Sequence, residues 1–382
     1  MGTCGKLRLK LALMEGAMDL KELYSPIFIR HLGEAIQREY PLVQPDRLLA
    51  DCLRADWPKL KLMERRDRLV SSLHRQLPAD FEQAAPILRA IAPQFTGLVA
   101  VCLPQYVAQY GLAHWATAMA LLKELTRYSS SEFAIRPFLI HAPQATETQM
   151  LRWAHDQDPA VRRLASEGLR PRLPWGIRLT QYVTDPAPIW PVLRELMTDE
   201  SEYVQKSVAN NLNDISKDHP QAVIDWAQTY WGQTSQTTWI LTRGLRTLFK
   251  QGNPAVLALE GYALSAADHL TDCSLTPTEQ TASLGTTTTL QYTMTAETGR
   301  SLPVYLGYRV HYIRQRQGTT FKDFYIKRTT IRPGATVSGQ VTRPWRQLTT
   351  RKLYPGDHVI ELLVNTRVVA TAHVKLTVEQ TR

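Results

Sequence analysis

The strongest constraint on the fold of this chain is a pattern that recurs after 43 residues. Segments 151–169 (LRWAHDQDPAVRRLASEGL) and 193–212 (LRELMTDESEYVQKSVANNL) each read as a helix, an acidic turn and a second helix that begins V-x-[RK]. Segments 122–138 and 239–248 are weaker copies. A period of this length is typical of HEAT-type helix pairs. It predicts an α-solenoid whose second helices line one concave surface.

The second helix of the clearest copy, from about Ser201, has two distinct faces. Its predicted buried side carries Val204, Val208, Leu212 and Ile215, and its polar side carries Lys206, Asn210, Asn213 and Lys217. Asp214 falls at the edge of the polar face. A carboxylate among amides and lysines suits chemistry on an anionic polymer. The alternative is a solvated face with a local Asp–Lys pair, which spacing alone favours.

Two further regions flank these repeats. Residues 18–128 read as amphipathic helices punctuated by prolines, with helices predicted over 47–55, 60–77 and 115–128. From about residue 275, short alternating segments separated by turn residues predict six or seven strands. They fit an immunoglobulin-like sandwich, although no Cys…Trp…Cys signature occurs. The expected organisation is a disordered leader (1–17), a HEAT-like domain (18–268) and an immunoglobulin-like domain (275–382).

The positive charge is concentrated in the C-terminal region. The chain has a net charge of +10, and residues 275–382 hold 15 Lys and Arg against 6 Asp and Glu. A basic module on a near-neutral body indicates a polyanionic partner, with nucleic acid first. The alternative is a basic surface that serves only solubility. The segment PWRQLTTRK at 344–352 reads as a loop suited to gripping a phosphate backbone.

Other function classes lack their signals. No apolar run approaches the roughly 18 residues that cross a bilayer. Four scattered cysteines without a CxxC motif favour a reducing, cytoplasmic compartment and argue against zinc. Metalloprotease, nucleotide-binding and dinucleotide-binding motifs are absent from the sequence. We therefore expect no membrane, metal or cofactor partner.

Three acids are candidates for catalysis because each lies in or beside the second helix of a repeat. They are Glu132, Glu167 and Asp214. Stacking of the repeats would bring them to one surface, in a basic setting. Each has a simpler explanation. Ser129 and Glu132 have the spacing of a capping box, and Glu167 lies one turn from Arg163 and Arg170 as in an ordinary ion pair.

Trp175 ends a proline-stiffened basic loop, RPRLPW. It is either a core residue or a surface that stacks on a base or sugar. We predict that Trp175, Asn210 and Ser207 bind the substrate. The residues predicted to contact DNA are Arg162, Arg163, Arg170, Arg172, Lys206, Lys217, Arg243, Arg246, Arg343, Arg346, Arg351 and Lys352.

Several long segments resemble one known family. They are 128–138, 162–175 (RRLASEGLRPRLPW), 201–220 (SEYVQKSVANNLNDISKDHP), 303–314 (PVYLGYRVHYIR) and 349–365 (TTRKLYPGDHVIELLVN). The chain from about Met18 is similar to the AlkC branch of the AlkC/AlkD DNA alkylation repair glycosylases, whose larger members carry an immunoglobulin-like domain after the solenoid. By motif position, Glu132, Glu167 and Asp214 match the family's active-site acids, and Trp175 matches its active-site aromatic residue.

The resemblance implies a monofunctional DNA N-glycosylase of base excision repair that acts on double-stranded DNA. We expect a monomer without an obligate protein partner, because a DNA clamp of this kind needs only one subunit. The expected substrates are cationic bases: 3-methyladenine, and 3-methylcytosine or 1-methyladenine. Such bases leave readily without being protonated. The role left for the carboxylates is to stabilise the oxocarbenium-like sugar and to position water. We expect Asp214 and Glu132 to flank C1′ and Glu167 to assist. The main alternative is a non-catalytic HEAT-repeat scaffold that binds DNA or protein.

Overall fold

The computed structural model describes residues 19–314, 318–347 and 352–377. The described chain divides into two compact units. The first runs to Asp218 and includes Thr234–Ile240, and the second comprises His219–Gln233 and the chain from Leu241 onward. The predicted leader 1–17 lies outside the described residues, and the domain bounds 18–268 and 275–382 stay predictions.

The first unit is helical, as the sequence predicts. Its α-helices are α1 (Pro26–Glu39), α2 (Pro45–Cys52), α3 (Leu62–His74), α4 (Phe81–Ile91), α5 (Cys102–Tyr110), α6 (Trp115–Leu125), α7 (Arg136–His141), α8 (Pro143–Ala154), α9 (Pro159–Gly168), α10 (Thr180–Thr184), α11 (Trp190–Leu196) and α12 (Glu202–Ile215). The helices predicted over 47–55, 60–77 and 115–128 are present, and each ends earlier than predicted. Short 3₁₀ turns connect several of these elements.

Many of the prolines mark where helices begin. Pro26, Pro45, Pro143 and Pro159 each occupy the first turn of a helix, where the missing amide hydrogen has no intrahelical partner to lose. Pro86 is an exception, because it lies inside α4. Proline positions therefore predict many of the helix starts. The helix break predicted at Pro86 is wrong, because α4 continues through it.

The two clear repeats have the predicted form: α8 and α9, then α11 and α12, with α9 packed on α12. Their acidic turns share one hydrogen-bond pattern. Asp156 Oδ1 accepts a hydrogen bond from the amide of Asp158 at 2.9 Å, and Asp199 Oδ1 accepts one from the amide of Ser201 at 2.8 Å. Arg162 forms a bidentate ion pair with Asp199, at 2.6 and 3.0 Å. This pair ties one repeat to the turn of the next.

The helix α12 is more deeply buried than its polar pattern predicts. Its apolar residues Val204, Val208, Leu212 and Ile215 are buried as expected, and Ser207, Asn211, Asn213 and Asp214 are buried as well. A solvated face is therefore the wrong interpretation for Asp214, which is 2% exposed. The local Asp–Lys pair is present, since Lys217 Nζ lies 2.8 Å from Asp214 Oδ1.

The second unit carries a β-sandwich preceded by short helices. Its helices are α13 (Pro220–Tyr230), α15 (Arg246–Lys250) and α16 (Pro254–Leu259), and α14 (Ser235–Gly244) begins in the first unit and ends in the second. The strands are β1 (Leu270–Pro277), β2 (Thr281–Ser283), β3 (Thr287–Ala296), β4 (Leu302–Ile313), β5 (Thr319–Ile331), β6 (Thr336–Pro344), β7 (Gly356–Val364) and β8 (Arg367–Thr377).

These strands form two sheets with the orders β1-β3-β6 and β2-β8-β7-β4-β5. Every pair is antiparallel except β2 with β8. Alternate residues of β3 are buried, as in a strand with one face on a core. Trp345 is fully buried there, and its indole N–H donates to Thr288 Oγ1 at 2.8 Å. The predicted immunoglobulin-like sandwich is confirmed, with more strands than expected.

Candidate active site

The turn before α7 places Glu132. Ser129 Oγ donates to the carbonyl of Gly97 at 3.0 Å, and Ser131 Oγ donates to the carbonyl of Leu122 at 2.9 Å. Helix α7 begins only at Arg136. The capping-box interpretation of Ser129 and Glu132 is therefore wrong, because the Ser129 hydroxyl bonds to a distant loop. Glu132 is left without a capping role, yet it is 2% exposed.

The three predicted acids come together in the first unit through alternating cations. We name this chain of ion pairs the carboxylate ladder; its members in order are Glu132, Arg163, Glu167, Arg170, Asp214 and Lys217. Helical spacing sets the steps within each helix, since Arg163 and Glu167 are four residues apart in α9 and Asp214 and Lys217 are three apart at the end of α12. Tertiary packing sets the steps between elements.

The contacts along the carboxylate ladder are close. Arg163 pairs with Glu132, and its Nη2 lies 3.9 Å from Glu167 Oε1. Arg170 bridges two acids, with Nη1 2.6 Å from Glu167 Oε1 and Nε 2.8 Å from Asp214 Oδ2. The ion pairs expected from the spacing of Glu167 are thus present. They do not exclude a catalytic role, because they also join Glu167 to the other two acids.

Burial makes this charge alternation necessary. Glu132, Glu167 and Asp214 are 2%, 5% and 2% exposed, and buried carboxylates need charged or hydrogen-bonding partners. Burial by itself lowers the pKa of Arg170, but the carboxylates of Glu167 and Asp214 outweigh it and raise that pKa. Three acids and three cations therefore balance, and Arg170 stays charged between its two acids.

Several buried oxygens of the carboxylate ladder, and of other residues in α9 and α12, receive no hydrogen bond from the part of the protein that the structure describes. They are Glu132 Oε2, Glu167 Oε2, Ser166 Oγ, Ser207 Oγ and Asn211 Oδ1. Buried polar atoms in folded proteins are almost always satisfied by protein or ordered water. The ladder therefore has two spare acceptors, Glu132 Oε2 and Glu167 Oε2, for a water molecule or a polar ligand. Asn211 Nδ2 donates to the carbonyl of Ser166 at 2.8 Å, which joins α12 to α9.

Trp175 is not a core residue. Its side chain is 60% exposed, and its backbone has φ = 64°, a conformation that bulky residues rarely adopt. An exposed indole on a strained loop is available for stacking. The interpretation of Trp175 as core is wrong, whereas its predicted contact with substrate stays a prediction.

Tyr203 belongs to the same site, and sequence reasoning missed it. The ring is 51% exposed, and the guanidinium carbon of Arg163 lies 4.4 Å from its centroid. This cation–π contact holds the arginine that pairs with Glu132. One signal was available, because Tyr203 stands inside the family-like stretch 201–220 and near the start of a second helix.

The other basic residues predicted on the first unit are mostly engaged. Arg162 pairs with Asp199, Arg172 contacts Asp218 at 2.6 Å, and Lys206 contacts Glu202 at 2.9 Å. Ser207 is buried and Asn210 is half-buried. Contacts of these residues with DNA or substrate stay predictions.

The basic residues predicted on the second unit differ in exposure. Arg243, Arg346 and Lys352 are exposed and Arg246 is half-buried. Arg343 is 9% exposed, and its guanidinium carbon lies 4.5 Å from the centroid of the Phe324 ring. Because the Arg343 side chain is buried, little of its surface is accessible to a phosphate. Arg351 lies outside the described residues.

The described ranges contain neither a membrane span nor a metal cluster. No helix there has both the length and the apolar character to span a bilayer. No three His, Cys, Asp or Glu side chains are grouped there as metal ligands.

Comparison with known proteins identifies the family. A model of the DNA alkylation repair enzyme family matches residues 99–245, and a model of the C-terminal Ig-like domain of the uncharacterised protein YhaZ matches 271–378. YhaZ of Bacillus subtilis (strain 168), itself uncharacterised, is 40% identical over 350 residues, which is 92% of this chain and 97% of YhaZ.

A solved structure agrees with this assignment. Pseudomonas fluorescens alkylpurine DNA glycosylase AlkC, bound to DNA containing an abasic site analog, matches with a TM-score of 0.80 and 36% identity. The match covers 94% of this chain and 100% of that one. Because identity at this level extends over nearly the whole length of both chains, this chain belongs to the AlkC-like family of DNA alkylation repair glycosylases.

Proposed function

We propose that this chain hydrolyses the N-glycosidic bond of cationic alkylated bases in double-stranded DNA. The substrates are 3-methyladenine, and also 3-methylcytosine and 1-methyladenine. The observation that carries the proposal is the carboxylate ladder, which lies within the region matched by the DNA alkylation repair model. The name of the P. fluorescens relative points to alkylpurines, and the extension to this chain is ours.

The chemistry needs an anionic environment more than a proton donor. A base alkylated at N3 or N1 already carries positive charge, so it leaves without protonation. Positive charge then develops on the deoxyribose ring, and nearby carboxylates stabilise it in the transition state. We place Asp214 and Glu132 on either side of C1′, with Glu167 assisting.

The surroundings of Asp214 support this placement. Asp214 is 2% exposed, whereas the side chain of its partner Lys217 is 42% exposed, with Nζ 2.8 Å from Asp214 Oδ1. The solvent-facing position beside the carboxylate thus already holds a cation. A sugar with positive charge at C1′ takes the place of that ammonium group. The flexible lysine stem makes the exchange sterically simple.

Water is the nucleophile in this proposal. Glu132 Oε2 and Glu167 Oε2 are the carboxylate oxygens of the ladder that receive no hydrogen bond from the described protein, so either can orient or deprotonate a water molecule. In this proposal Lys217 is the cation that the sugar displaces from Asp214, and it is not used as an amine nucleophile. We therefore expect hydrolysis without lyase activity, and borohydride treatment should trap no covalent protein–DNA adduct.

The decisive experiment measures release of 3-methyladenine from methylated duplex DNA under single-turnover conditions. Asp214→Asn and Glu132→Gln should each lower the rate constant by about 100-fold or more, the usual scale for losing a key charge-stabilising group. Both should still bind duplex DNA that contains an abasic site analog. Glu147→Gln is the matched control, because Glu147 lies in the same unit and accepts a hydrogen bond from Tyr182 outside the ladder. Unchanged rate constants in both ladder variants would contradict the proposed catalytic roles of Asp214 and Glu132.

The alternative is a non-catalytic DNA-binding or protein-interaction scaffold. One observation favours it: each of the three acids is buried and paired with a cation, as a structural network would be. The same assay separates the two functions. A scaffold binds DNA and releases no methylated base even as the wild-type protein.

A further inference from the structure

Arg136 is a buried cation that the proposed reaction does not use. It lies at the start of α7, is 0% exposed, and forms no ion pair with a carboxylate of the described chain. Burial, and after it the charge of Arg170, lowers the pKa of Arg136 to about 10, which leaves it protonated at neutral pH. Desolvating a guanidinium is unfavourable, so an apolar side chain would fill this space at less cost. The reason for an arginine must lie in what it contacts.

Its hydrogen bonds go to the last residue of α9 and to the loop that follows it. Nη1 donates to the carbonyls of Gly168 and Arg170 at 2.9 and 2.8 Å, Nε donates to the carbonyl of Ile177, and Nη2 lies 3.5 Å from the carbonyl of Pro171. The loop 169–179 follows α9 and has no regular secondary structure. Its buried carbonyls need donors from elsewhere, and the planar fork of one arginine supplies several at once.

This loop carries two groups of the proposed site. Arg170 has its carbonyl held by Arg136 while its guanidinium bridges Glu167 and Asp214. Trp175 keeps φ = 64° although its indole is 60% exposed, so its own side chain packs too little to enforce that backbone. Strained residues persist where the surroundings over-determine them. The bonds from Arg136 on both sides of Trp175 provide that constraint.

The neighbouring glycine shows how closely the loop fits. A Cβ at Gly176 would lie 3.2 Å from Cδ and 3.3 Å from Nε of Arg136, and 3.2 Å from Cδ2 of Leu173 in the same loop. Those distances are tighter than ordinary van der Waals contact, so an alanine here would push on the guanidinium. The backbone of the loop therefore rests directly against the Arg136 side chain.

We propose that Arg136 is a positioning residue, whose buried guanidinium holds loop 169–179 so that Arg170 stays between Glu167 and Asp214 and Trp175 faces the reacting sugar. The inference rests on the proposed function and adds to it a residue that acts through the loop and does not touch the substrate. Lysine cannot replace the arginine, because an ammonium lacks the planar fork that reaches several carbonyls. Arg136→Lys should keep the charge and lose the geometry.

The first test does not depend on catalysis. Trypsin cleaves after arginine unless proline follows, so Arg172 and Arg178 are the candidate cleavage sites in the loop and Arg170 is not. Under native conditions Arg136→Lys should accelerate cleavage at these two sites by about tenfold, since cleavage follows the population of the opened loop. Arg65→Lys is the matched control. Arg65 is 2% exposed and contacts Glu22 and the carbonyl of Lys21, away from this loop.

The second test measures the single-turnover rate constant and the Kd for abasic-analog DNA. Arg136→Lys should lower the rate constant by about 10- to 100-fold, because small misplacements of positioned groups reduce rates on this scale. The Kd should change by less than about threefold. In combination with Trp175→Ala, the losses should not multiply, since both act through one loop. Arg65→Lys should leave the rate constant unchanged even if it lowers Tm equally.

The outcomes separate the two proposals. If the wild-type protein releases no methylated base, the proposed function fails, while the protease pattern still decides whether Arg136 holds the loop. An unchanged protease pattern in Arg136→Lys, or rate losses that multiply with those of Trp175→Ala, overturns the positioning role. If circular dichroism shows that Arg136→Lys does not fold, Gly176→Ala replaces it, because it presses on the same guanidinium. The same two changes are then expected, and their absence is equally decisive.

Discussion

Arg170 Nε donates to Asp214 Oδ2 at 2.8 Å, although 44 residues of chain separate the two. Arg170 follows the end of α9, and Asp214 lies in the last turn of α12. The contact therefore links the ends of two stacked second helices at the point where the candidate acids meet. Both residues are more than nine-tenths buried. Each therefore supplies an opposite charge that the other needs away from water.

Removal of Arg170 should destabilise the fold strongly. Arg170→Met leaves Glu167 and Asp214 buried with a partner missing, which costs about 3–5 kcal/mol in comparable cases. Arg172→Met is the matched control, because the Arg172–Asp218 pair is partly solvated and is worth about 1 kcal/mol or less. Urea unfolding measures both free energies. Equal losses of unfolding free energy in the two variants would show that the buried Arg170 ion pairs stabilise the fold no more than the partly solvated Arg172–Asp218 pair does.

Trp175→Gly should separate stability from activity. Glycine adopts φ = 64° without the strain of a bulky residue, and loss of a largely exposed indole removes little packing. The free energy of unfolding should change by about 1 kcal/mol or less, while the single-turnover rate falls by about tenfold or more. Trp175→Phe, which keeps an aromatic face, should retain more activity. A large fall in Tm for Trp175→Gly would instead indicate a structural role.

The acidic turn of the first clear repeat should make stability depend on pH. Burial opposes ionisation of Asp156, but Lys123, whose Nζ lies 2.5 Å from its carboxylate, and the amide of Asp158 outweigh burial and lower the pKa below 3.8. Because the folded-state pKa is below the unfolded one, this stabilisation is fully present above pH 3.8 and is lost as the pH falls through the lower value.

Asp156→Asn tests this dependence. The variant should be less stable than the wild-type protein near pH 6, by about 1 kcal/mol, and the difference should shrink as the pH falls below 3.8. Urea unfolding across this range measures it. A difference that stays constant with pH would contradict an electrostatic origin.

Two neighbouring arginines of the second unit should behave differently in DNA binding. Arg346 is exposed, so Arg346→Gln together with Lys352→Gln should weaken binding and reduce the slope of log Kd against log salt concentration by about 1 for each phosphate that is no longer neutralised. Arg343→Met should act mainly on stability, because its guanidinium is buried against Phe324. Fluorescence anisotropy at several salt concentrations measures the slopes. An unchanged slope in the exposed double variant would exclude these residues as phosphate ligands.

Local pattern was sufficient for the architecture. The 43-residue recurrence, the proline positions and the alternating strands all follow from side-chain periods along one element, so they can be read from the sequence. The same patterns led to errors where long-range packing intervenes. Ser129 looked like a helix cap, but its hydroxyl bonds to Gly97 instead. Asp214 looked solvated, but its carboxylate is buried and paired with Arg170 and Lys217.

The sequence by itself determined which helices form, how they repeat, and that Glu132, Glu167 and Asp214 recur beside second helices. Only the tertiary structure decided that Arg163 reaches Glu132, that Arg170 reaches Asp214, and that Arg136 donates hydrogen bonds to the loop after α9. The physical reason is distance. Helical periodicity extends over a turn or two, whereas the contacts from Arg170 to Asp214 and from Arg136 to Ile177 span more than 40 residues and exist only once the repeats have packed.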